Sequence, residues 1–476
     1  MTSALEPAWL SATDAAAAIG RGEVSACELT EAVLERIAAV DPDTGAFVVV
    51  SAEQAIADAE RLDAAARAGD SRGPLHGVPV AVKDIVDMRG LPTTCSSRVR
   101  DGHLANADAP VVERLRAAGA VIVGKTHTHE FAYGGICPET RNAWSLDRIA
   151  GGSSGGSAVA LAQGMAALAI GTDTGGSIRI PAAFNGVVGL KPTYGRVPKA
   201  GVVPLNWSLD HVGPMSRTVA DAALMLSVMA GRDSRDVTSA REPLEDYARD
   251  LALGIRGLRL GVPANYFLDT LEPDVRAAYE RALARLAELG AVRVEVSIPD
   301  VELAPAVFVG VLLSEASAYH QADLRTLGDR YGEDVRSWLE LGETQLGTHY
   351  VNAQRARARI KRGFRSAFEE HRLDALVVPT VPMVAAPVGA GSVTFPGGVE
   401  QTIMAALLNA CGPFNLSGQP VLSVPCETEG AGLPIGLAFA GRPFGERMIL
   451  RIGAEYERAA PWAGARPPAP AQSARA

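Results

Sequence analysis

A chain of 476 residues with a formal net charge of −9 and no basic block gives no electrostatic reason to expect nucleic acid as a partner. Hydrophobic residues make up 47% and aromatic residues only 5%, so a large core would be built from Ala, Val, Leu and Ile. The N-terminus MTSALEPAWL lacks a basic segment followed by an apolar run, and Ala158–Gly171 is too short and too interrupted by Gln163 and Gly164 to span a bilayer, so neither export nor a membrane is expected. The cysteines Cys27, Cys95, Cys137, Cys411 and Cys426 are odd in number and form no CxxC pair, as in a cytoplasmic protein with reduced thiols.

Ser11 to Val40 predicts two helices broken at Gly20–Gly22. Ser25-Ala-Cys-Glu28 is a capping box opening the second, and Leu29, Val33, Leu34 and Ile37 keep helical spacing. Gly73–Asp87 (GPLHGVPVAVKDIVD) predicts a loop leading into a buried strand, Val78–Val82, with Lys83 at its end. In isolation such a lysine marks where a strand meets water. Ala109–Lys125 predicts a helix and then a strand, followed by THTHEFAY at Thr126–Tyr133. The HxH of His127 and His129 invites comparison with metal-dependent amidohydrolases, but His211, His320, His349 and His371 supply no later ligand pattern, and no metal is expected. Two DTG triplets, Asp43–Gly45 and Asp173–Gly175, do not make an aspartic dyad, because Asp43 lies in turn-like sequence after a helix rather than on a matching strand.

Gly151 to Arg179 runs GGSSGGSAVALAQGMAALAIGTDTGGSIR, two serine-bearing glycine clusters around an almost wholly apolar segment. Ser157 to about Gly164 suits a short helix, which at about eight residues rises roughly 12 Å. Ala166–Ile170 suits a buried strand, which at about five residues runs back roughly 16 Å. That out-and-back path can return Ser177 to the neighbourhood of Ser153. No lysine follows GGSSGG in P-loop spacing, so a phosphate cradle is set aside. Ser177-Ile-Arg-Ile-Pro181 opens another helix, and Thr218–Gly231 predicts one more. Leu258–Val296 reads strand, helix, strand; helices follow at about Leu303–His320 and Val351–His371, then strands at Leu373–Pro379, VLSVPC and LPIGLAFAG. Gly464–Ala476, rich in Pro, Ala and Arg, is expected to be a disordered tail.

The motifs GGSSGG, DTGGSIR and the upstream PVAVKD resemble the signature of the amidase signature family, and the likeness runs from about Ser11 to about Trp462. The resemblance, with the alternation of β and α segments, implies one α/β domain over residues 1–463: a large mixed β-sheet covered by helices on both faces. It implies Ser177 as nucleophile, Ser153 as a bridging serine after a cis Gly152–Ser153 bond, and Lys83 as the base. It also suggests an Asp173–Arg179 ion pair bracing the loop. Burial would lower the pKa of Lys83 and let it rest neutral. The backbone N–H groups of Thr174, Gly175, Gly176 and Ser177 are the expected oxyanion hole, because glycines leave the approach open. Phe131, Tyr133, Ile180, Trp207 and the segment Trp338–Gln345 are expected to wall the substrate. The implied reaction is hydrolysis of a small-molecule carboxylic amide, with esters and carbamates as variants, without cofactor or metal; a homodimer is left open. The alternative within the family is the glutaminase component of a glutamyl-tRNA amidotransferase complex. That component carries a Gln where Ile180 stands here, and its Asp is replaced around Leu408. A non-enzymatic binding module is the third reading, against which all three triad positions are intact.

Overall fold

A computed structural model describes residues 6–426, 432–460 and 465–468. Eleven strands form one mixed sheet. In chain order they are β1 (Phe47–Val50), β2 (Pro79–Lys83), β3 (Val121–Thr126), β4 (Leu168–Asp173), β5 (Val188–Lys191), β6 (His211–Ser216), β7 (Arg259–Pro263), β8 (Val292–Val296) and β9 (Ala375–Pro379), with β12 (Val421–Cys426) and β13 (Ile435–Ala440) completing it. A separate hairpin, β10 (Ser392–Phe395) and β11 (Val399–Thr402), lies between. The spatial order is β1-β3-β2-β4-β6-β5-β12-β13-β9-β7-β8. Parallel pairs β3–β2–β4 and β8–β7–β9 flank a middle that runs antiparallel, and helices cover both faces. This is the α/β architecture expected from the alternation of segments. The central strands β2, β3 and β4 are buried along their whole length, as continuous apolar runs require.

Most expected elements appear with shifted ends. The strand expected at Ala166–Ile170 runs Leu168–Asp173, and the helix before it is Gly155–Ala162. The helix opened by Ser25 has its capping box, but continues past Val40 through Pro42 to Thr44. Pro42 forfeits one backbone bond, while the Asp41 carboxylate accepts from the Ala46 N–H at 2.6 Å and Gly45 closes the helix in the left-handed region at φ +60°. The expected tail falls mostly outside the described residues; within 465–468, Arg466 lies over the Trp9 ring and pairs with Glu6.

The helical stretch Val301–Arg330 is long and apolar enough, by length and composition, to cross a membrane. Half of its most apolar window is buried inside the fold. Phe308, Val311 and Leu313 are among its buried residues, and it packs on the helices Glu333–Glu343, Gly347–Glu370 and Ile403–Ser417. That is the packing of a core helix, and it positions Phe308 and Leu312 beside the glycine loop after β4.

Candidate active site

Lys83 closes β2 with no exposed surface, and it does not meet water as an isolated strand-end lysine would. Parallel pairing of β2 with β4 lays its side chain beside Thr172, and the turn into the helix Gly155–Ala162 brings up two serines. Lys83 Nζ lies 2.7 Å from Ser153 Oγ, 2.8 Å from Thr172 Oγ1 and 2.9 Å from Ser154 Oγ. Among the described residues no carboxylate is within ion-pair distance of it. Burial pulls the amine from its ordinary value down to about 7.

The Gly152–Ser153 peptide bond is cis. Ser153 is buried, its carbonyl accepts from the His129 N–H at 3.2 Å, and the Ser154 N–H donates to the Ser177 carbonyl at 3.1 Å. The two glycine clusters therefore run against each other, as the out-and-back path requires. Ser177 opens onto a cleft of about 70 Å³ lined also by Tyr133, Ile180, Phe308, Trp338 and Leu408. None of the residues lining this cleft is charged.

A buried ionic clamp holds the loop that carries Ser177. Arg179 donates from Nε to Asp173 Oδ2 at 2.9 Å and from Nη2 to Asp173 Oδ1 at 3.0 Å. Asn415, from the helix Ile403–Ser417, donates to Asp173 Oδ1 at 2.8 Å and accepts from Arg179 at 2.7 Å. Burial alone would raise the Asp173 carboxyl, but Arg179, Lys191 and Asn415 together outweigh it and hold the group well below the usual carboxylate range. The same carboxylate accepts the backbone N–H of Gly176 at 2.8 Å and of Ile178 at 3.2 Å.

That bond corrects one expectation. The Gly176 N–H is turned onto Asp173 and is not free to meet an oxyanion, whereas the N–H groups of Thr174, Gly175 and Ser177 have no partner among the described residues. Gly176 holds φ +128°, a conformation that side chains resist, and this aims its N–H inward. A Cβ on Gly175 would stand 2.6 Å from the Phe308 ring and 2.8 Å from Leu408, so glycine there keeps the cleft open.

The chain has matches among known proteins. A family model described as Amidase covers residues 28–450. The chain belongs to the amidase family. It is 46% identical to an amidase of Pseudomonas putida, over 92% of this chain and 94% of that one. It is 42% identical to the A-type subunit of the glutamyl-tRNA(Gln) amidotransferase of Roseiflexus sp. (strain RS-1), over 95% and 97%. Among solved structures, a bacterial aryl acylamidase of the amidase signature family superimposes with a TM-score of 0.87 at 28% identity, covering 95% of this chain and 97% of that one. The chain is accordingly an amide-hydrolysing enzyme with the amidase signature fold.

Not every expected wall residue of this amidase reaches the cleft. Tyr133 and Ile180 line it, and Trp338 does so from the helix Glu333–Glu343. Phe131 does not: at φ +51° its ring turns into the core, 4.4 Å from the ring of His320 and 5.6 Å from that of Tyr331. Trp207 is 60% exposed and stands at the edge of a different chamber. His127 and His129 diverge, one to Ser96 at 3.3 Å and the other to Asp334 at 3.1 Å, and among the described residues no group of His, Cys, Asp and Glu could hold a metal. Sequence reasoning missed Ser154, Thr172, Phe308 and Met404. Ser154 sits inside GGSSGG and Thr172 directly precedes DTGGSIR, whereas Phe308 and Met404 come from distant helices with no local signal.

Proposed function

We propose that this amidase works through a Ser–Ser–Lys relay with Ser177 as nucleophile. The observation that carries the reading is a fully buried lysine surrounded by hydroxyls, with no carboxylate in ion-pair distance among the described residues. The Ser154 hydroxyl donates to the Thr172 carbonyl at 3.2 Å, so toward Lys83 it acts as an acceptor. A neutral amine then donates its two protons to Ser154 and Thr172 and keeps its lone pair for the Ser153 O–H.

In the reaction Ser153 passes its proton to Lys83 as it takes one from Ser177, whose Oγ attacks the amide carbon. The tetrahedral oxyanion is met by the open N–H groups of Thr174, Gly175 and Ser177. Lys83 returns the proton through Ser153 to the leaving nitrogen, the C–N bond breaks, and an acyl-enzyme remains on Ser177. Water, deprotonated by the same relay, attacks the ester; the acid leaves and Ser177 regains its proton.

The substrate we favour is a neutral carboxamide with a short apolar acyl group. Free glutamine would bring its α-ammonium and α-carboxylate toward a cleft whose lining holds no charge. Ile180 and Leu408 add apolar surface there. This weighs against the amidotransferase reading and for an enzyme that acts alone. A fluorophosphonate should label Ser177, and Ser177→Ala should abolish turnover of butanamide with the circular dichroism spectrum unchanged. Labelling of another serine with Ser177 untouched, or glutamine hydrolysis appearing only with a second protein and tRNA, would overturn the assignment.

A further inference from the structure

On the other side of Thr174 from the apolar cleft lies a second chamber of about 210 Å³. Ala132, Thr174 and Leu205 line both cavities, so the two meet at the loop that carries Ser177. The chamber wall includes Thr172, whose hydroxyl contacts Lys83, and His211 from β6.

His211 is 3% exposed. Its Nδ1 lies 2.6 Å from the Leu209 carbonyl and 3.1 Å from the Asp173 carbonyl. Carbonyls only accept, so the ring proton sits on Nδ1 and Nε2 is an acceptor. Nε2 is buried with no hydrogen-bond partner among the described residues. Burial pushes the ring well below its ordinary value, and Lys191 and Lys199 push the same way, which keeps it neutral. An acceptor left unmet in a protein interior is costly, and such groups mark sites where something else completes the bond.

The charged groups of the chamber are already engaged. Asp210 accepts from Thr174 Oγ1 at 2.6 Å and from the Leu205 and Asn206 N–H groups at 3.0 Å each. Lys199 donates to the Trp207 carbonyl at 2.7 Å and the Tyr194 hydroxyl at 3.2 Å. Asp236 accepts from the Lys199 and Thr238 N–H groups at 2.8 Å each, and Arg235 is paired with Glu113 and Asp233. Among the described residues that line the chamber, His211 Nε2 is a buried acceptor left open.

We infer that this chamber is the leaving-group subsite and that it selects amides whose amine side carries a neutral O–H or N–H donor for His211. The inference rests on the Ser177 relay, in which the leaving nitrogen takes its proton from Ser153 and Lys83; Thr172 sets the chamber on the Lys83 side. The charged groups that line the chamber, Lys199 and Arg235 with Asp210 and Asp236, are balanced in sign and already hydrogen-bonded, so they call for no net charge on that arm. Trp207 at the chamber edge offers an apolar face along the arm.

The test follows the rate at which a fluorophosphonate labels Ser177 while a competing amide protects it. The probes are N-(3-hydroxypropyl)butanamide, its isostere N-butylbutanamide, and unsubstituted butanamide. In the wild type the hydroxyl probe should protect at a concentration about tenfold lower than the butyl probe. His211→Phe should erase that difference, so that the two substituted probes protect at equal concentrations. Ala200→Leu, which fills the chamber without touching His211, should weaken both substituted probes and leave butanamide as it was. Equal protection by the two substituted probes in the wild type, or no effect of Ala200→Leu on them, would overturn the subsite while Ser177 still labels. Absence of label at Ser177 without any probe would sink the relay itself, and the subsite with it.

Discussion

Lys83 and Lys125 stand on neighbouring strands, both without exposed surface, in nearly level register: Val82 of β2 pairs with Lys125 of β3. Lys125 has the Asp84 carboxylate at 2.7 Å, with the Pro92 carbonyl and the Thr93 hydroxyl close by. Among the described residues Lys83 has only the hydroxyls of Ser153, Ser154 and Thr172. The same side chain at the same depth thus becomes two different things. Beside a carboxylate, burial makes an ion pair that ties strand to loop, and removing one partner strands the other charge. Among hydroxyls, burial disfavours the charge and leaves an amine able to take a proton. Asp173–Arg179 belongs with Lys125: bidentate, fully paired and structural.

The sharpest way to break this comparison is to remove each lysine in turn. Lys83→Met should lower kcat/KM by about 10²–10⁴ with little change in the urea midpoint. Lys125→Met should do the reverse, losing about 3–5 kcal/mol of stability because Asp84 stays buried without its partner, while enzyme that remains folded keeps turning over. A Lys83→Met protein with a normal rate would erase the distinction.

Arg179→Met should cost a similar amount, about 3–5 kcal/mol in urea unfolding, and should also lower activity, since Asp173 anchors the Gly176 and Ile178 N–H groups. Asn415→Leu removes the hydrogen bonds that Asn415 makes to both partners but leaves neither charge unpaired, so it should cost less, about 1.5–3 kcal/mol. An Arg179→Met enzyme of unchanged stability would mean the clamp holds nothing. The smallest effect is none: prolonged treatment with EDTA or phenanthroline should leave the rate unchanged. Activity lost to a chelator and restored by zinc would put His127 and His129 back in question.

The parts of the site that could be read from sequence are those whose chemistry lies within one short stretch. Lys83 sits in PVAVKD, Ser153 in GGSSGG and Ser177 in DTGGSIR, and Asp173 and Arg179 share the last. The helix and strand between the serines were legible because an apolar run bounded by glycines has few other uses. Phe131 was misplaced because THTHEFAY does not reveal that its backbone turns into the left-handed region, which swings the ring into the core. Gly176 was misplaced as an oxyanion donor because a glycine's freedom does not say where its N–H is aimed. The cleft wall was least legible: Phe308, Trp338 and Met404 arrive from three helices far along the chain. Their meeting point depends on how those helices pack, which spacing does not encode. His211 was passed over for a related reason, since a lone histidine on a strand acquires meaning only through the empty space beside it.

The central claim is that Lys83 acts as a neutral base, and the pH dependence of kcat/KM tests it most directly. The lysine is drawn down to about 7 by burial, so below that pH it carries a proton and cannot accept one. The rate of the wild type should rise through about pH 7 along a single ionisation and then level off. Lys83→Ala should lose most of the rate and the ionisation with it. Lys83→Arg should not restore either, because a guanidinium stays charged. A Lys83→Ala enzyme with the wild-type profile and a near-normal rate would contradict the account.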